Sequence, residues 1–389
     1  MVNLKILNDD GTITNHTINK EVTNHKNDIQ IINSSSKEQN ALKIIDGYYS
    51  NKKSILYDDT NKDIKKELED LSLFENHDFS MMFFTSGSTG KPIGALKTKS
   101  NLEEEVKVFT KLVQEYNIKQ VIVTVPFVHI YGTLVALLYP LLNDIDIVLK
   151  EHFLPFNLLE AIEPNSLIVT TPLYIKALNK VSDTVDLSSS LFVSSTAPLD
   201  PLSAKEFSEK FNTDVMQLFG STETSGIAYK KNDEQLWSPL DKVDISVNSE
   251  DELKVSSPFV SNTLYNNGFK DIEGSFQTFD FIEQYENKFK LVGRSSKIFK
   301  LAGKRYSTVQ VENILEDIDE IQKALVFVKN SDDNIRDEIL DITLQSKKEF
   351  SSLEIKKILK SKLSNLKFSI KLHYVDEIST NAIGKKLLI

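Results

Sequence analysis

The chain has 389 residues, enough for one large domain and a smaller one. Hydrophobic residues make up 40% and charged residues 26%, a composition typical of soluble globular domains and not of disordered chains. The formal net charge is −10, with lysine and arginine spread along the sequence, which argues against a protein that binds duplex nucleic acid through a basic face.

Residues 1 to about 77 are weakly patterned, and a repeating alternation of predicted strands and helices begins at Phe79. The amino terminus lacks the apolar core of an export signal and predicts a strand instead. A capping box of Ser100 and Glu103 predicts the start of a helix. Further predicted elements of this part are strands at 29–32, 54–57 and 79–85 and helices at 62–73 and 100–116.

Strands and helices then alternate, which predicts an α/β domain around a mainly parallel sheet. A largely apolar helix is predicted over 133–142, and shorter strands over 237–284 predict an antiparallel subdomain. The stretch Leu134 to Leu142 is the most apolar and is far shorter than the roughly 20 residues that a membrane-spanning helix needs. The predicted strands are 121–125, 145–149, 166–170, 190–194 and 214–218.

The pattern changes after Arg294 to a βαββαβ order, which predicts a small α+β domain. We predict a large ATP- and acyl-binding domain at 1–294 and a small, mobile domain at 297–389. Leucine and isoleucine side chains are expected on the inner side of the second helix of the small domain. The predicted strands are 305–308, 324–329, 339–345 and 368–375, the helices are 309–317 and 351–363, and the inner residues are Leu353, Ile355, Ile358, Leu359 and Leu363.

The chain contains no cysteine, which excludes disulfides, thiolate catalysis and cysteine-based metal sites. With no export signal and no membrane-spanning stretch predicted, we expect a cytoplasmic protein without stable membrane insertion.

The strongest local signal is the loop TSGSTGKPIG at residues 85–94. Glycines let backbone amides approach phosphate oxygens, and hydroxyl groups add donors around the same anion. A kinase-type P-loop is excluded, because Thr85 stands where that motif has glycine and Pro92 follows Lys91 where it has Ser or Thr. The alternative to a phosphate-binding loop is a flexible turn.

This loop resembles the signature of the adenylate-forming superfamily, which contains acyl-CoA synthetases, luciferases and the adenylation domains of peptide synthetases. The family signature continues into Thr-His-x-Asn-Leu, and TKSNL follows here at 98–102. Each further match is weak by itself, and their shared order along the chain supports the assignment. They are PFVHIYG at 126–132, SSTAPL at 194–199, FGSTE at 219–223, TFD at 278–280, GR at 293–294 with Lys300 and Gly303, and NAIGK at 381–385.

The resemblance implies a role for each matched residue. Lys385, Thr222 and Glu223 would be catalytic, Glu223 would also hold Mg²⁺, and His129 would line the acyl pocket. Asp280 and Arg294 would fix the ribose of ATP. The other implied ATP-binding residues are Thr85, Ser86, Gly87, Ser88, Thr89, Gly90, Lys91, Ser195, Thr196, Ala197, Pro198, Phe219 and Gly220.

The function that the resemblance implies is ATP-dependent activation of a carboxylic acid as its acyl-adenylate, followed by transfer to a thiol. The acceptor would be coenzyme A or the phosphopantetheine of an acyl carrier protein. Such catalysis depends on positioning and charge neutralisation and needs no covalent nucleophile. Since Lys385 lies in the small domain, that domain would dock and rotate about a hinge at Ser296.

Several alternatives stay open. Val128 stands where peptide-synthetase domains have Asp, so an acid with an uncharged tail is preferred to an amino acid. Ile93, Phe279 and Ser296 depart from the family pattern and support a degenerate binding protein without turnover, although Lys91 is close to Ile93 in sequence. The matches at Glu223, Asp280, Arg294 and Lys385 oppose this alternative, and the active ligase is preferred. Transfer of the acyl group to an amine or a reductase is a third interpretation. The short chain before the loop predicts a reduced amino-terminal subdomain.

Three of the implied site residues also have structural interpretations. His129 could be a buried histidine without contact to substrate, Asp280 could cap a turn beside Thr278, and Arg294 could be a surface ion-pair partner.

Overall fold

A computed structural model of the chain describes residues 1–26, 28–85, 92–272, 274–294, 298–301, 304–330, 338–363, 369–379 and 386. The chain divides into two compact units. The first contains Met1–Ser246 and Lys254–Phe276, and the second contains Val247–Leu253 and Gln277–Ile389. The domain boundary that we place between residues 294 and 297 stays a prediction.

The strands are numbered in chain order. Those before residue 240 are β1 Val2–Leu7, β2 Ile13–Ile18, β3 Ile29–Ile32, β4 Lys53–Leu56, β5 Met81–Thr85, β6 Ile93–Lys97, β7 Gln120–Val123, β8 Asp146–Leu149, β9 Ser166–Thr170, β10 Leu191–Ser194, β11 Asp214–Ser221, β12 Ser225–Lys231 and β13 Ser238–Pro239. The later ones are β14 Asp244–Val247, β15 Glu252–Ser256, β16 Thr263–Tyr265, β17 Phe269–Asp271, β18 Ser275–Tyr285, β19 Lys288–Arg294, β20 Ile298–Leu301, β21 Lys304–Ser307, β22 Ile321–Asn330, β23 Glu338–Ser346 and β24 Ser369–Tyr374.

The helices connect these strands, and in the described part of the chain none is long and apolar enough to cross a membrane. The predicted cytoplasmic location stays a prediction. The α-helices are α1 Lys37–Tyr49, α2 Lys62–Glu67, α3 Lys99–Val113, α4 Tyr139–Leu142, α5 Pro155–Ala161, α6 Pro172–Asn179, α7 Pro201–Phe211, α8 Thr308–Glu316 and α9 Ser352–Lys362. Leu71–Phe74 and Gln114–Tyr116 are 3₁₀ turns, and Gly132–Leu138 is a π-helical segment that leads into α4.

The first unit is built on a nine-stranded sheet of order β13-β12-β11-β10-β9-β7-β8-β1-β2. The six strands from β11 to β1 run parallel, which confirms the predicted parallel sheet. Strands β7, β9 and β10 are buried along their whole length, as expected where helices cover both faces of a parallel sheet. The carboxyl ends of neighbouring strands therefore meet at one edge, with Ser194 beside both Thr170 and Gln217.

A six-stranded sheet of order β17-β16-β6-β5-β4-β3 also lies in the first unit. Strands β5 and β6 are antiparallel, and Thr85 pairs with Ile93, so the loop 86–91 connects the two strands of a hairpin. Our prediction lacked strand β6, because we expected a helix as the next element after this loop. Ala95 and Leu96 are buried in this strand.

The predicted start of helix α3 was wrong by two residues. Thr98 is the N-cap, since its hydroxyl accepts a hydrogen bond from the backbone amide of Asn101. In return, the Asn101 side-chain oxygen accepts a hydrogen bond from the backbone amide of Thr98. Glu103 instead accepts a hydrogen bond of 2.7 Å from the hydroxyl of Tyr48. The Asn101 side chain takes the place that glutamate usually has in a capping box, so the N-cap lies two residues before the predicted one. The helix predicted over 62–73 is likewise divided into α2 and a separate 3₁₀ turn.

The second unit contains the predicted βαββαβ order, from β21 to β24. Strand β21 pairs with β20, while β22, β23 and β24 form a separate sheet against which α8 and α9 pack. Ile355 and Leu359 are fully buried, whereas Leu353 is 80% exposed, so its predicted inward position was wrong. At 100° per residue, a side chain two positions before Ile355 points to the opposite face of the helix.

Candidate active site

Part of the predicted ATP site lies at the carboxyl ends of β10 and β11, namely Ser195–Pro198, Phe219 and Gly220. Ser195 follows β10 directly, and its hydroxyl donates a hydrogen bond of 2.9 Å to the carbonyl of Leu218 in β11. The next three residues, Thr196, Ala197 and Pro198, are exposed in a turn where Thr196 has a φ of 79°. A ligand thus has access to this turn and to the adjacent end of β11.

Thr222 and Glu223 lie in the turn between β11 and β12, which we call the β11–β12 turn (Ser221–Ser225). Hydrogen bonds inside the turn join Ser221 to Thr224: the amide of Ser221 donates to the Thr224 hydroxyl at 3.2 Å, and the amide of Thr224 donates to the Ser221 hydroxyl at 3.2 Å. Ser225 has a φ of 61°, in the left-handed region. These contacts hold the turn in one conformation and leave Thr222 and Glu223 half-buried at its tip.

Gly220 is required by the close approach of the strand that follows the turn. A Cβ atom at this position would lie 2.2 Å from the carbonyl oxygen of Ser225. The register between β11 and β12 shifts at this point, between Phe219 and Gly220. The ring of Phe219 lies 5.5 Å from that of Trp237.

Gly220→Ala is expected to displace the β11–β12 turn and lower the free energy of unfolding by about 1–3 kcal/mol, because the added methyl group overlaps backbone. Trp237 is the single tryptophan of the chain, so its fluorescence during urea denaturation follows this region. A transition midpoint equal to that of the unsubstituted protein would contradict the prediction.

The segment that carries His129 crosses the same edge of the sheet. The hydroxyl of Tyr131 donates to the carbonyls of Thr170, at 3.1 Å, and Val193, at 2.7 Å, which ties the segment to the ends of β9 and β10. A Cβ atom at Gly132 would lie 2.2 Å from the Pro126 carbonyl, so this tight loop requires glycine. Burial lowers the pKa of His129, so a neutral imidazole is favoured there. Tyr131 had no predicted role and is the anchor of this segment.

Asp280 and Arg294 are brought together in the second unit. They are opposite each other in strands β18 and β19, and Arg294 Nε donates to Asp280 Oδ1 at 3.0 Å. The Asp280 side chain is 5% exposed and the Arg294 side chain 48% exposed. The hydroxyl of Thr278 accepts the amide of Asp280 at 3.1 Å. The ion pair that was the alternative for Arg294 is therefore present, whereas Asp280 lies within strand β18 and its bond with Thr278 is accepted by the Thr278 hydroxyl. The ribose-binding role of both residues stays a prediction.

The chemistry of the β11–β12 turn fits a magnesium ion. Among the described residues, none donates a hydrogen bond to the Glu223 carboxylate, and no group of three or more His, Asp or Glu side chains could hold a metal by itself. Magnesium in nucleotide sites is commonly held by one or two carboxylates together with phosphate oxygens and water. A single accessible carboxylate beside hydroxyl groups is therefore a suitable donor set for Mg²⁺ bound with a nucleotide.

Two ionisable residues that contact this turn had no predicted role: Lys97 is fully buried and Glu105 is half-buried. Lys97, at the end of β6, donates to the carbonyl of Glu223 itself, and Glu105, in α3, accepts the amide of Gly226. Buried lysine and glutamate are rare in proteins unless they are paired, but a sequence alone does not show which charged residues are buried.

Several predicted site residues lie outside the described part of the chain. Thr85 is the last residue of β5, and the rest of the loop is not described. Lys300 lies in β20. The residues outside the description are Ser86, Gly87, Ser88, Thr89, Gly90, Lys91, Ser296, Lys297, Gly303 and Lys385.

Comparison with known proteins gives a family match over most of the first unit. The model of the AMP-binding enzyme family matches residues 9–258. A putative long chain fatty acid-CoA ligase, VraA, of Staphylococcus haemolyticus is 23% identical over 256 residues, which is 62% of this chain and 55% of that protein. A long-chain-fatty-acid–CoA ligase of Bacillus subtilis is 21% identical over 345 residues, 80% of this chain and 61% of that protein. The chain thus spans less than two thirds of the length of these curated relatives.

Solved structures share the fold. O-succinylbenzoate coenzyme A synthetase (MenE) from Bacillus subtilis, in complex with AMP, has a TM-score of 0.74 at 18% identity, covering 94% of this chain and 87% of that one. ATP-bound MatB from Rhodopseudomonas palustris has a TM-score of 0.67 at 18% identity, covering 92% and 77%. The amide bond synthetase McbA from Marinactinospora thermotolerans has a TM-score of 0.65 at 15% identity, covering 91% and 82%.

Proposed function

The chain belongs to the AMP-binding enzyme family, and from this premise we propose that it activates a carboxylic acid as its acyl-adenylate and passes the acyl group to a thiol. The observation that carries the proposal is the convergence of Ser195 and the β11–β12 turn at one edge of the parallel sheet, joined by the bond from Ser195 to Leu218. In open α/β sheets, ligands bind outside the carboxyl ends of the strands.

In the first half-reaction, a carboxylate oxygen of the acid attacks the α-phosphorus of ATP, and the bond to pyrophosphate breaks. Both reactants are anions, so the protein must bring them together and neutralise the charge that develops on phosphate. Glu223 would hold Mg²⁺, which supplies positive charge to the phosphates, and Thr222 would contact the α-phosphate. Lys385 would place a second cation between the acid and the α-phosphate.

The remaining residues would orient the nucleotide. The loop 85–91 would bind the phosphates that leave as pyrophosphate, and the Ser195–Pro198 turn with Phe219 and Gly220 would lie along the nucleoside. Asp280 and Arg294 would bind the ribose hydroxyls, with the Arg294 guanidinium fixing the orientation of the Asp280 carboxylate, since the two already form an ion pair.

We propose an acid with an uncharged tail, fatty or aryl, as the substrate. Val128 is 6% exposed and the neighbouring Phe127 is fully buried, so this segment offers no carboxylate to an amino acid's ammonium group. His129, held neutral by burial, is suited to the wall of such a pocket. The names of the curated relatives, both fatty acid–CoA ligases, favour coenzyme A as the acceptor. The phosphopantetheine of a carrier protein is the second candidate acceptor.

The experiment is Mg²⁺-dependent pyrophosphate release from ATP over a panel of fatty, aryl and hydroxy acids, with hydroxylamine to trap the activated acyl group. We expect release and hydroxamate formation with one class of acid, and thioester formation once coenzyme A or a carrier protein is added. Nucleotide binding without release, over the whole panel, would favour the degenerate binding protein that Ile93 and Phe279 suggest. If the activated acyl group is transferred to an amine and not to a thiol, the proposed acceptor would become an amine, as in the name of the amide bond synthetase McbA.

A further inference from the structure

Lys97 is a fully buried lysine that joins the two sheets of the first unit. It ends strand β6 of the six-stranded sheet, and its Nζ donates to the carbonyl of Glu223 at 3.1 Å in the β11–β12 turn. The same Nζ donates to the carbonyl of Phe259 at 2.6 Å. The carbonyl of Glu223 also accepts the amide of Ser261 at 2.9 Å. The backbone of the proposed metal-binding residue is therefore held by two donors.

Glu105 holds the other side of the same turn. Its Oε1 accepts the amide of Gly226, three residues after Glu223, at 2.8 Å, while Oε2 is buried without a hydrogen-bond partner among the described residues. The Lys97 amino group thus contacts a carbonyl on one side of Ser225, and the Glu105 carboxyl group contacts an amide on the other. Ser225 is also where the backbone has a left-handed φ, a conformation that serine adopts only when its surroundings hold it there.

The loop beneath the turn is fixed by the same junction of β6 and α3. Asn101, which caps α3 together with Thr98, donates through Nδ2 to the carbonyl of Pro258 at 2.7 Å. Phe259 and Val260 are fully buried. The chain that follows the proposed phosphate loop is therefore connected, through β6 and the start of α3, to the backbone of Glu223.

Removing an ionisable group from water costs free energy, and this applies to the Lys97 amino group and to the Glu105 carboxyl group, whose Oε2 is buried. Burial lowers the pKa of Lys97 to about 7 although Glu105 and Glu223 oppose the shift, and burial raises the pKa of Glu105 although Lys97 opposes it. An apolar pair at these positions would avoid this cost, but it would leave the carbonyl and the amide of the turn without these partners. In return for this cost of burial, Lys97 and Glu105 form hydrogen bonds with the backbone of the β11–β12 turn.

We propose that Lys97 and Glu105 are positioning residues that hold the β11–β12 turn in the conformation in which Thr222 and Glu223 bind magnesium and phosphate. The role of the turn in binding magnesium and phosphate rests on the proposed function. The tethering of the turn rests only on the hydrogen bonds of Lys97 and Glu105. Lys97 contacts backbone, so it acts on the reaction through the position of Glu223.

Lys97→Met keeps the length and volume of the side chain and removes its donors. It is expected to raise the Mg²⁺ concentration for half-maximal pyrophosphate release about tenfold, with a smaller change in kcat at saturating Mg²⁺, because residues that support a metal ligand act mainly on metal affinity. Glu105→Leu should shift the Mg²⁺ requirement in the same direction. Glu105→Gln keeps an acceptor for the amide of Gly226, so its Mg²⁺ requirement should equal that of the unsubstituted protein.

The matched control is Lys230→Met, since Lys230 is also buried in the first unit and lies in β12 with its Nζ over the ring of Trp237. Within the described part of the chain, its side chain donates no hydrogen bond to the backbone of the β11–β12 turn. It is expected to lower stability without a change in the Mg²⁺ requirement. An equal shift in Lys97→Met and Lys230→Met would show a general structural effect and overturn the proposal.

Amide hydrogen exchange over residues 219–228 tests the tether without any need for turnover. We expect exchange about tenfold faster in Lys97→Met and Glu105→Leu than in Lys230→Met, because the amides of the turn lose their fixed backbone. Unchanged exchange in both variants would overturn the proposal even in an active enzyme. Absence of pyrophosphate release from the unsubstituted protein would reject the proposed function, while the exchange data would still decide whether Lys97 and Glu105 hold the turn.

Discussion

Lys385→Ala is expected to slow pyrophosphate release about a hundredfold, which corresponds to roughly 3 kcal/mol of transition-state stabilisation. The reason is the proposed position of its ammonium group between the acid and the α-phosphate, where negative charge grows during adenylation. Stability should not change, because the role assigned to Lys385 is catalytic. The measurement is the initial rate of pyrophosphate release with the best acid of the panel, at saturating ATP and Mg²⁺.

Two comparisons make the Lys385 result specific. Lys347→Ala removes an exposed lysine of the second unit and should leave the rate unchanged, so it controls for the loss of one positive charge. Thioester formation from a supplied acyl-adenylate should be retained in Lys385→Ala, since that half-reaction no longer involves the α-phosphate of ATP. A variant that adenylates at the unsubstituted rate would reject the assignment of Lys385.

Whereas Lys385→Ala should change the rate and not the stability, Lys386→Met is expected to destabilise the second unit by about 3–5 kcal/mol. Lys386 Nζ lies 3.1 Å from Glu312 Oε2 and 2.5 Å from Glu316 Oε1, and it donates to the carbonyl of Ala324 at 2.7 Å. The Glu312 and Glu316 side chains are 7% and 19% exposed. Removal of the cation leaves two carboxylates with little access to water and, among the described residues, no other cation at ion-pair distance.

Hydrogen exchange in α8 and β22 measures this effect, because both elements contact Lys386. A triple variant, Lys386→Met with Glu312→Gln and Glu316→Gln, is the matched rescue. Glutamine keeps an acceptor for the amides of Val326 and Ala324, which the two glutamates now bind, and it removes the unpaired charge. We expect the triple variant to recover most of the lost protection. Exchange in Lys386→Met equal to that of the unsubstituted protein would show that the cluster contributes nothing to stability.

The order of strands and helices was largely predictable, because it depends on local patterns. Apolar runs of four or five residues predicted β9 over its observed range and β10 to within one residue, since central parallel strands are buried on both faces. Errors arose where neighbouring residues compete for one role. Thr98 and Ser100 are both suitable N-caps, and contacts with Asn101 and Tyr48 decided between them.

The motifs of the candidate site were also visible in the sequence, and the family match over residues 9–258 confirms the family that they indicated. A motif names residue types at a spacing, which is enough to nominate Ser195, Thr222, Glu223 and Asp280 as candidates. It does not show what holds them. The ion pair of Asp280 with Arg294 joins residues that are 14 positions apart, because β18 and β19 form a hairpin.

Burial and long-range pairing were decided by the tertiary structure. Lys97 lies 126 positions from Glu223 and 162 from Phe259, and no local pattern marks a lysine at the end of a strand as buried. Leu353 and Leu359 belong to one helix, yet the first is exposed and the second buried, because the sheet covers one face of the helix only. Sequence patterns record the periodicity of each element, whereas the packing of elements determines which side chains lose water and which backbone groups they must then bind.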